Sequence, residues 1–158
     1  MKKIFVYISI ILSMLLFTGC SMDPLVSFVQ GKKSSSNYYT QSMVNDIKKY
    51  NIKNITVLET NLQKEKKLDK DDTVLFCNFL TSLNAKNFKG SSQNKKPAYK
   101  FFVDTNKNKY VINIYDEKNI SLFPWDGIYE MDNIDMSDIK KLYNLYDLCH
   151  YWFSKTQY

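Results

Sequence analysis

Thiols, a single imidazole and a scatter of carboxylates are the side chains of this chain that could carry out covalent or acid–base chemistry. The cysteines are Cys20, Cys77 and Cys149. Nothing like a CxxC pair is present, so local spacing assembles no zinc knuckle. His150 is the only histidine. A neutral imidazole can act as general base, but a Cys–His or Ser–His pair has to be positioned by the fold. Cys149 is its chain neighbour, and adjacent helical side chains point about 100° apart, a poor geometry for a dyad. Asp132, Asp135 and Asp138 suggest paired-carboxylate or metal chemistry, yet Asp135 and Asp138 fall near an expected helix start, where capping accounts for them. Asp104-Thr105-Asn106-Lys107-Asn108 alternates oxygen ligands as the start of an EF-hand loop does. Lys109 stands where that loop needs glycine, however, and Tyr115 where a bidentate glutamate should close it, so the segment reads as a polar hairpin turn. With four glycines in the chain there is no phosphate-cradling glycine loop. The sequence therefore assigns no catalytic residue, no metal site and no cofactor.

Cys20 is different because of what precedes it. Met1-Lys2-Lys3 gives a positive start, and Ile4 to Phe17 is uncharged and apolar except for Ser9 and Ser13. Thr18-Gly19 then places small residues before the cysteine. A charged n-region, an apolar h-region and a small-residue cleavage site make a secretory signal. The apolar run is shorter than the roughly 17 residues a membrane span needs, and Asp23-Pro24 ends it. Its apolar residues also surround the whole helix circumference, which does not suit one buried face of a folded domain.

Leu16-Phe17-Thr18-Gly19-Cys20 resembles the lipobox of bacterial lipoproteins. Leucine is usual three residues before the cysteine; here that place holds Phe17, with Leu16 one step earlier. The resemblance implies acylation of the Cys20 sulfur and cleavage before it. Residues 1–19 are then a signal peptide, 20–38 a lipidated tether and 39–158 a single domain. The expected location is the extracytoplasmic face of the cell membrane. Each buried CH₂ contributes about 0.8 kcal/mol, so two or more chains hold such a domain stably.

Composition narrows the partners. The 158-residue chain carries a net charge of +6, and all 22 of its basic residues are lysine. Arginine supplies the bidentate contacts that grip phosphate and read bases, and its absence argues against nucleic acid. Lysines spread along the chain allow weak attraction to an anionic wall polymer. With Cys20 committed to lipid, Cys77 and Cys149 lie on the apolar stripes of two expected helices. They are read either as small buried residues or as a disulfide in an oxidising compartment.

The elements follow from periodicity. Ser21 to Asn37 reads as a tether, with Gly31 to Asn37 polar and flexible. Met43, Ile47 and Tyr50 predict a short helix from Tyr39 to about Tyr50, and Asn54 to Glu59 a strand. Lys64 to Lys70 reads as a charged, solvated connection. Asp71 or Asp72 is expected to cap a helix reaching Ala85, with Val74, Cys77, Leu80 and Leu83 on its apolar face and Phe76 and Phe79 beside them. Tyr99–Asp104 and Tyr110–Tyr115 predict an antiparallel hairpin, followed by strands at Ile120–Phe123 and Ile128–Met131. A last helix is expected from Asp135 or Ser137, with Ile139, Leu142, Tyr146, Cys149 and Phe153 as its stripe. This is an α+β domain: an antiparallel meander of four to five strands with two to three helices on one face.

Twelve tyrosines, ten phenylalanines and two tryptophans make an unusual supply of rings. Tyr and Trp are enriched at interfaces, and Phe123, Trp125 and Tyr129 cluster at a turn as a candidate binding patch. The competing reading is that these rings cover the sheet edge and fill the core. In composition and element order the chain also resembles the small lipoproteins of low-GC Gram-positive bacteria, which implies an envelope role and carries no site residues across. The expected function is a membrane-anchored binding module for an envelope protein or an anionic wall polymer. The alternatives are a small envelope hydrolase, using His150 or the Asp132–Asp138 acids, and a structural spacer.

Overall fold

The computed structural model describes residues 33–126 and 130–154. Helix α1 (Tyr38–Tyr50) leads into strand β1 (Ile52–Glu59), β2 (Lys64–Lys67) and helix α2 (Lys70–Ser82). A 3-10 turn (Ala85–Lys89) precedes β3 (Tyr99–Thr105), β4 (Lys109–Ile114), β5 (Asn119–Pro124) and β6 (Asp132–Asp135). Helix α3 (Leu145–Ser154) ends the described chain.

The six strands form one sheet in the order β2-β1-β3-β4-β5-β6, and every neighbouring pair is antiparallel. Side chains alternate across a strand, so register decides which residues share a face. Val57 faces Phe101, Phe101 faces Ile112, Ile112 faces Leu122, and Ile120 faces Ile134. All six are buried in one cluster with Met43 of α1, Phe76 and Phe79 of α2, and Leu145, Cys149 and Trp152 of α3. The three helices therefore cover the same face, and the α+β class expected from the sequence is the one observed.

Several local expectations are corrected. Lys64–Lys67 is an edge strand, with Leu58 opposite Glu65. Its alternating lysines suit an exposed edge, where charge opposes further pairing. Helix α2 is capped by Asp69, whose carboxylate accepts from the Asp72 amide at 2.8 Å. Its buried face is Phe76 and Phe79, while Val74 is 56% exposed. Of the expected strand Ile128–Met131, Ile128 and Tyr129 lie outside the described residues and Glu130 and Met131 are not in a strand, while the strand that pairs with the outer side of β5 is β6. Consequently no helix starts at Asp135 or Ser137. Asp135 closes a turn by accepting from the Ser137 amide and hydroxyl, and α3 begins at Leu145 under the side chain of Asn144. Leu142, expected on the apolar stripe, is exposed. Phe153 does pack inward, stacked on Tyr99 at 5.9 Å.

The outer edge of β6 is covered. Asn87, in the 3-10 turn, donates to the Asp135 carbonyl at 2.9 Å. Gly90 follows so closely that a Cβ there would lie 3.0 Å from backbone atoms of Asn133 and Ile134.

Candidate ligand-binding site

Helix α1 carries Asp46 on the same face as Met43, and it is 6% exposed. A buried carboxylate is costly unless its lone pairs are satisfied. Tyr110 donates its hydroxyl to Asp46 Oδ2 at 2.6 Å and Asn108 its amide at 2.7 Å, with Lys107 Nζ 3.9 Å from Oδ1. Burial, then the hydrogen bond to Asp46, pushes the Tyr110 phenol up to about 12. The phenol has one proton and gives it to Asp46. Ser42 Oγ, 3.0 Å from the same hydroxyl, must therefore be the donor in that contact. Ser42 is thus oriented by a phenol that cannot take its proton, which is the wrong polarity for a nucleophile.

The same network fixes the β3–β4 turn against α1. Thr105 Oγ1 accepts from the amides of Lys107 and Asn108, and Asn106 Nδ2 donates to the Tyr50 carbonyl at 2.6 Å. The oxygen-rich run Asp104–Asn108 is consumed in building this turn, and Asp104 itself faces Lys109 at 3.8 Å. Among the described residues no group of three or more His, Cys, Asp or Glu could hold a metal ion.

Between α1, this turn and the end of β5 lies a cleft of about 390 Å³, bordered by Tyr39, Ser42, the Lys107–Tyr110 run and Pro124 to Asp126. A smaller recess of about 120 Å³ shares Lys109, Tyr110 and Trp125 with it and is backed by Asn54 and Phe102. Trp125 stands where the two meet, 56% exposed. Its amide donates to the Lys109 carbonyl at 3.0 Å, and its ring lies edge-on to Phe102 at 5.2 Å. An aromatic ring held at both backbone and side chain presents its surface at little entropic cost on binding. A wider groove of about 520 Å³ runs between α1 and the end of α2. Its walls are chiefly Leu80, Leu83, Phe88 and amide side chains, with Lys48 the one charged residue.

Of the expected patch, Trp125 borders the cleft, Phe123 is half-buried within β5, and Tyr129 lies outside the described residues. Cys20 also lies outside them. Cys77 and Cys149 are free thiols, half-buried and buried respectively, and burial pushes both upward. The acids do not converge. Asp132 is fully buried beneath the start of α1, Asp135 is engaged by Ser137, and Asp138 is exposed. His150 is exposed on α3. The cleft residues missed in the sequence include Ser42, Lys107, Lys109 and Tyr110, with Asp46 behind them as the partner of Tyr110. Asp46 had a legible signal, a carboxylate set into the Met43–Ile47 apolar stripe.

This arrangement defines a small α+β domain with a preformed polar and aromatic cleft. Residues 33–149 match the family described as a domain of unknown function (DUF4883), and the chain belongs to that family. It is also similar to a candidate lipoprotein from Clostridium perfringens known by crystal structure, at 35% identity and a TM-score of 0.70, over 78% of this chain and 99% of that one. No curated protein compared with the chain matches it. No helix among the described residues is long and apolar enough to cross a membrane.

Proposed function

We propose that the protein is a lipoprotein held at the extracytoplasmic face of the membrane by acylated Cys20, and that it offers the Trp125 cleft to a component of the cell envelope. The anchor is supported by the signal-like start with its lipobox-like Leu16–Cys20 and by the likeness to the clostridial candidate lipoprotein. The binding role rests on one observation: a large aromatic ring left more than half exposed yet rigidly seated over a cleft of ligand size. A singly exposed ring is ordinary by itself; what gives Trp125 weight is its place at the mouth of the cleft.

Intact mass of the membrane-extracted protein tests the anchor. A mass of residues 20–158 plus acyl chains is expected, and a mass retaining Met1–Gly19 or lacking acyl chains refutes it. The cleft is tested by placing a photo-crosslinking residue at Asp126 in intact cells. Crosslinks to envelope material are expected there and not from Glu65 on the exposed β2 edge. Equal yields from the two positions would refute a binding role for the cleft.

A further inference from the structure

We infer that the ligand of this cleft is an uncharged saccharide ring, stacked on Trp125 and held at its hydroxyls by the lysine, amide and carboxylate groups of the rim. The inference rests on the binding role proposed above.

Charge is the first argument. The two rim ammoniums are already opposed: Lys107 faces Asp46 at 3.9 Å, and Lys109 faces Asp104 at 3.8 Å. Asp126 adds a third carboxylate to the border. With Lys49 beside Lys107 over the Tyr50 ring, three acids stand against three bases, which leaves no surplus positive charge for a phosphate-rich polymer. The general lysine excess of the chain is located elsewhere, as on the β2 edge at Lys64, Lys66 and Lys67.

The mixture of functional groups around the cleft points the same way. A pyranose ring presents a patch of C–H bonds on its face and a rim of hydroxyls, each both donor and acceptor. Recognition needs a flat aromatic surface and, around it, donors and acceptors together. Trp125 supplies the surface. The half-exposed ammoniums of Lys107 and Lys109 supply donors, and the Asp126 carboxylate and the Asn108 side chain offer acceptors. In the adjoining recess Asn54 adds a further amide-bearing residue to the lining. A peptide ligand would instead seek an unpaired strand edge, but Trp125 lies at the β4–β5 end, where both strands already have two neighbours.

The turn that carries the rim is also braced. The clasp of Asn106 on Tyr50 and the Asp46–Tyr110–Asn108 network lock the turn that carries both lysines. Small polar ligands gain little area, so a preformed site is what makes their binding measurable.

The test uses the full chain in detergent micelles, titrated separately with tetra-N-acetylchitotetraose, maltotetraose and polyglycerol phosphate while the heat of binding is followed by calorimetry. Saturable binding of at least one of the two saccharides is expected, with Kd near or below about 1 mM. Trp125→Ala should weaken it at least about tenfold, the loss typical of an aromatic anchor. Trp152→Phe, which alters the buried tryptophan, should retain it, and matching circular dichroism spectra would exclude unfolding as the cause. Two results overturn the saccharide assignment: neither sugar binding, or polyglycerol phosphate binding in a Trp125-dependent way without them. The Asp126 crosslinking in cells separates the levels. Specific crosslinks with no sugar binding would leave the cleft a binding site for another chemistry, and no crosslinks would remove the reading on which the inference stands.

Discussion

The carboxylate of Asp132, on β6, closes the N-terminus of α1 from across the fold, its Oδ2 lying 2.7 Å from the Thr40 amide and 2.9 Å from the Thr40 hydroxyl. Helix starts leave backbone N–H groups unpaired and carry partial positive charge. Asn37, at the cap position, makes no side-chain cap bond, so Asp132 does the work from a distant strand. Lys33 completes the cluster, donating to the Met131 carbonyl at 2.6 Å and lying 3.4 Å from Asp132 Oδ1. The chain just before α1 is thereby fastened to β6.

Asp132→Ala should therefore destabilise the domain by about 3 kcal/mol, as expected when one partner of a buried charged cluster is removed. Asp135→Ala, which removes only a surface turn contact, should cost about 1 kcal/mol or less. Urea unfolding of both variants checks the ranking, and equal losses would show that the distant cap is not energetically special. Burial, working against the Thr40 and Lys33 contacts, holds the Asp132 carboxyl above its usual value. The folded state then takes up this proton before the unfolded state does. The contribution of Asp132 to stability, measured against Asp132→Asn, should rise as pH falls through the window just above the ordinary carboxylate range.

At the other end of the pH scale two tyrosines dominate. Burial first, then neighbouring groups that include Cys149 and Asp46 respectively, raises Tyr99 and Tyr110 to about 12. Folded-state values above the unfolded value of 10 mean that stability is fully present below pH 10. It is lost as the pH rises toward about 12, because the unfolded chain ionises first. Tm measured between pH 9 and 12 should fall less steeply in Tyr99→Phe and Tyr110→Phe than in the parent. Superimposable slopes would contradict the burial of these phenols.

These contacts also show which parts of the fold were legible in advance. The β3–β4–β5 meander was readable because β-branched and aromatic runs alternate with polar turns, and the turn at Asp104–Asn108 is built by its own residues. α1 was readable because its stripe is regular. β2 was not, since KEKK has no apolar period and becomes a strand only by pairing with β1. β6 was hidden in the same way: Asp-Asn-Ile-Asp resembles a capping segment until Ile134 is placed opposite Ile120. For the cleft, Trp125 stood out as a ring beside a turn. Tyr110 and Lys109 looked like ordinary strand residues, and only the docking of α1 on the hairpin makes them a site.

The two cysteines give a direct chemical check. Cys149 is wholly buried and Cys77 half-buried, both with thiols pushed up by desolvation. The thiolate is the reactive form, so a thiol reagent at neutral pH should label Cys77 slowly and Cys149 only at the rate of unfolding. Full denaturation without reductant should expose both. Failure to label either after denaturation would mean that they are bonded to each other.

Gly90 provides a test of how tightly the β6 edge is covered. Replacing glycine by alanine commonly stabilises by about 0.4–1 kcal/mol through the unfolded chain, provided the new methyl fits. Gly90 has an ordinary extended backbone, φ −60° and ψ 149°, so conformation alone would allow that gain. Space does not. The methyl would meet three backbone atoms of Asn133 and Ile134 at 3.0 Å, and backbone cannot swing aside as a flexible side chain can. Either the 85–90 segment lifts, weakening the Asn87–Asp135 hydrogen bond, or β6 shifts against β5. Overpacking of this kind costs roughly 1–3 kcal/mol, which exceeds the entropic gain. Gly90→Ala should thus lower stability while Ser91→Ala leaves it nearly unchanged, and amide exchange at Ile134 should accelerate in the first variant alone. A stabilised Gly90→Ala protein would place the segment farther from β6 than these contacts require, leaving the edge strand open to pairing with another chain.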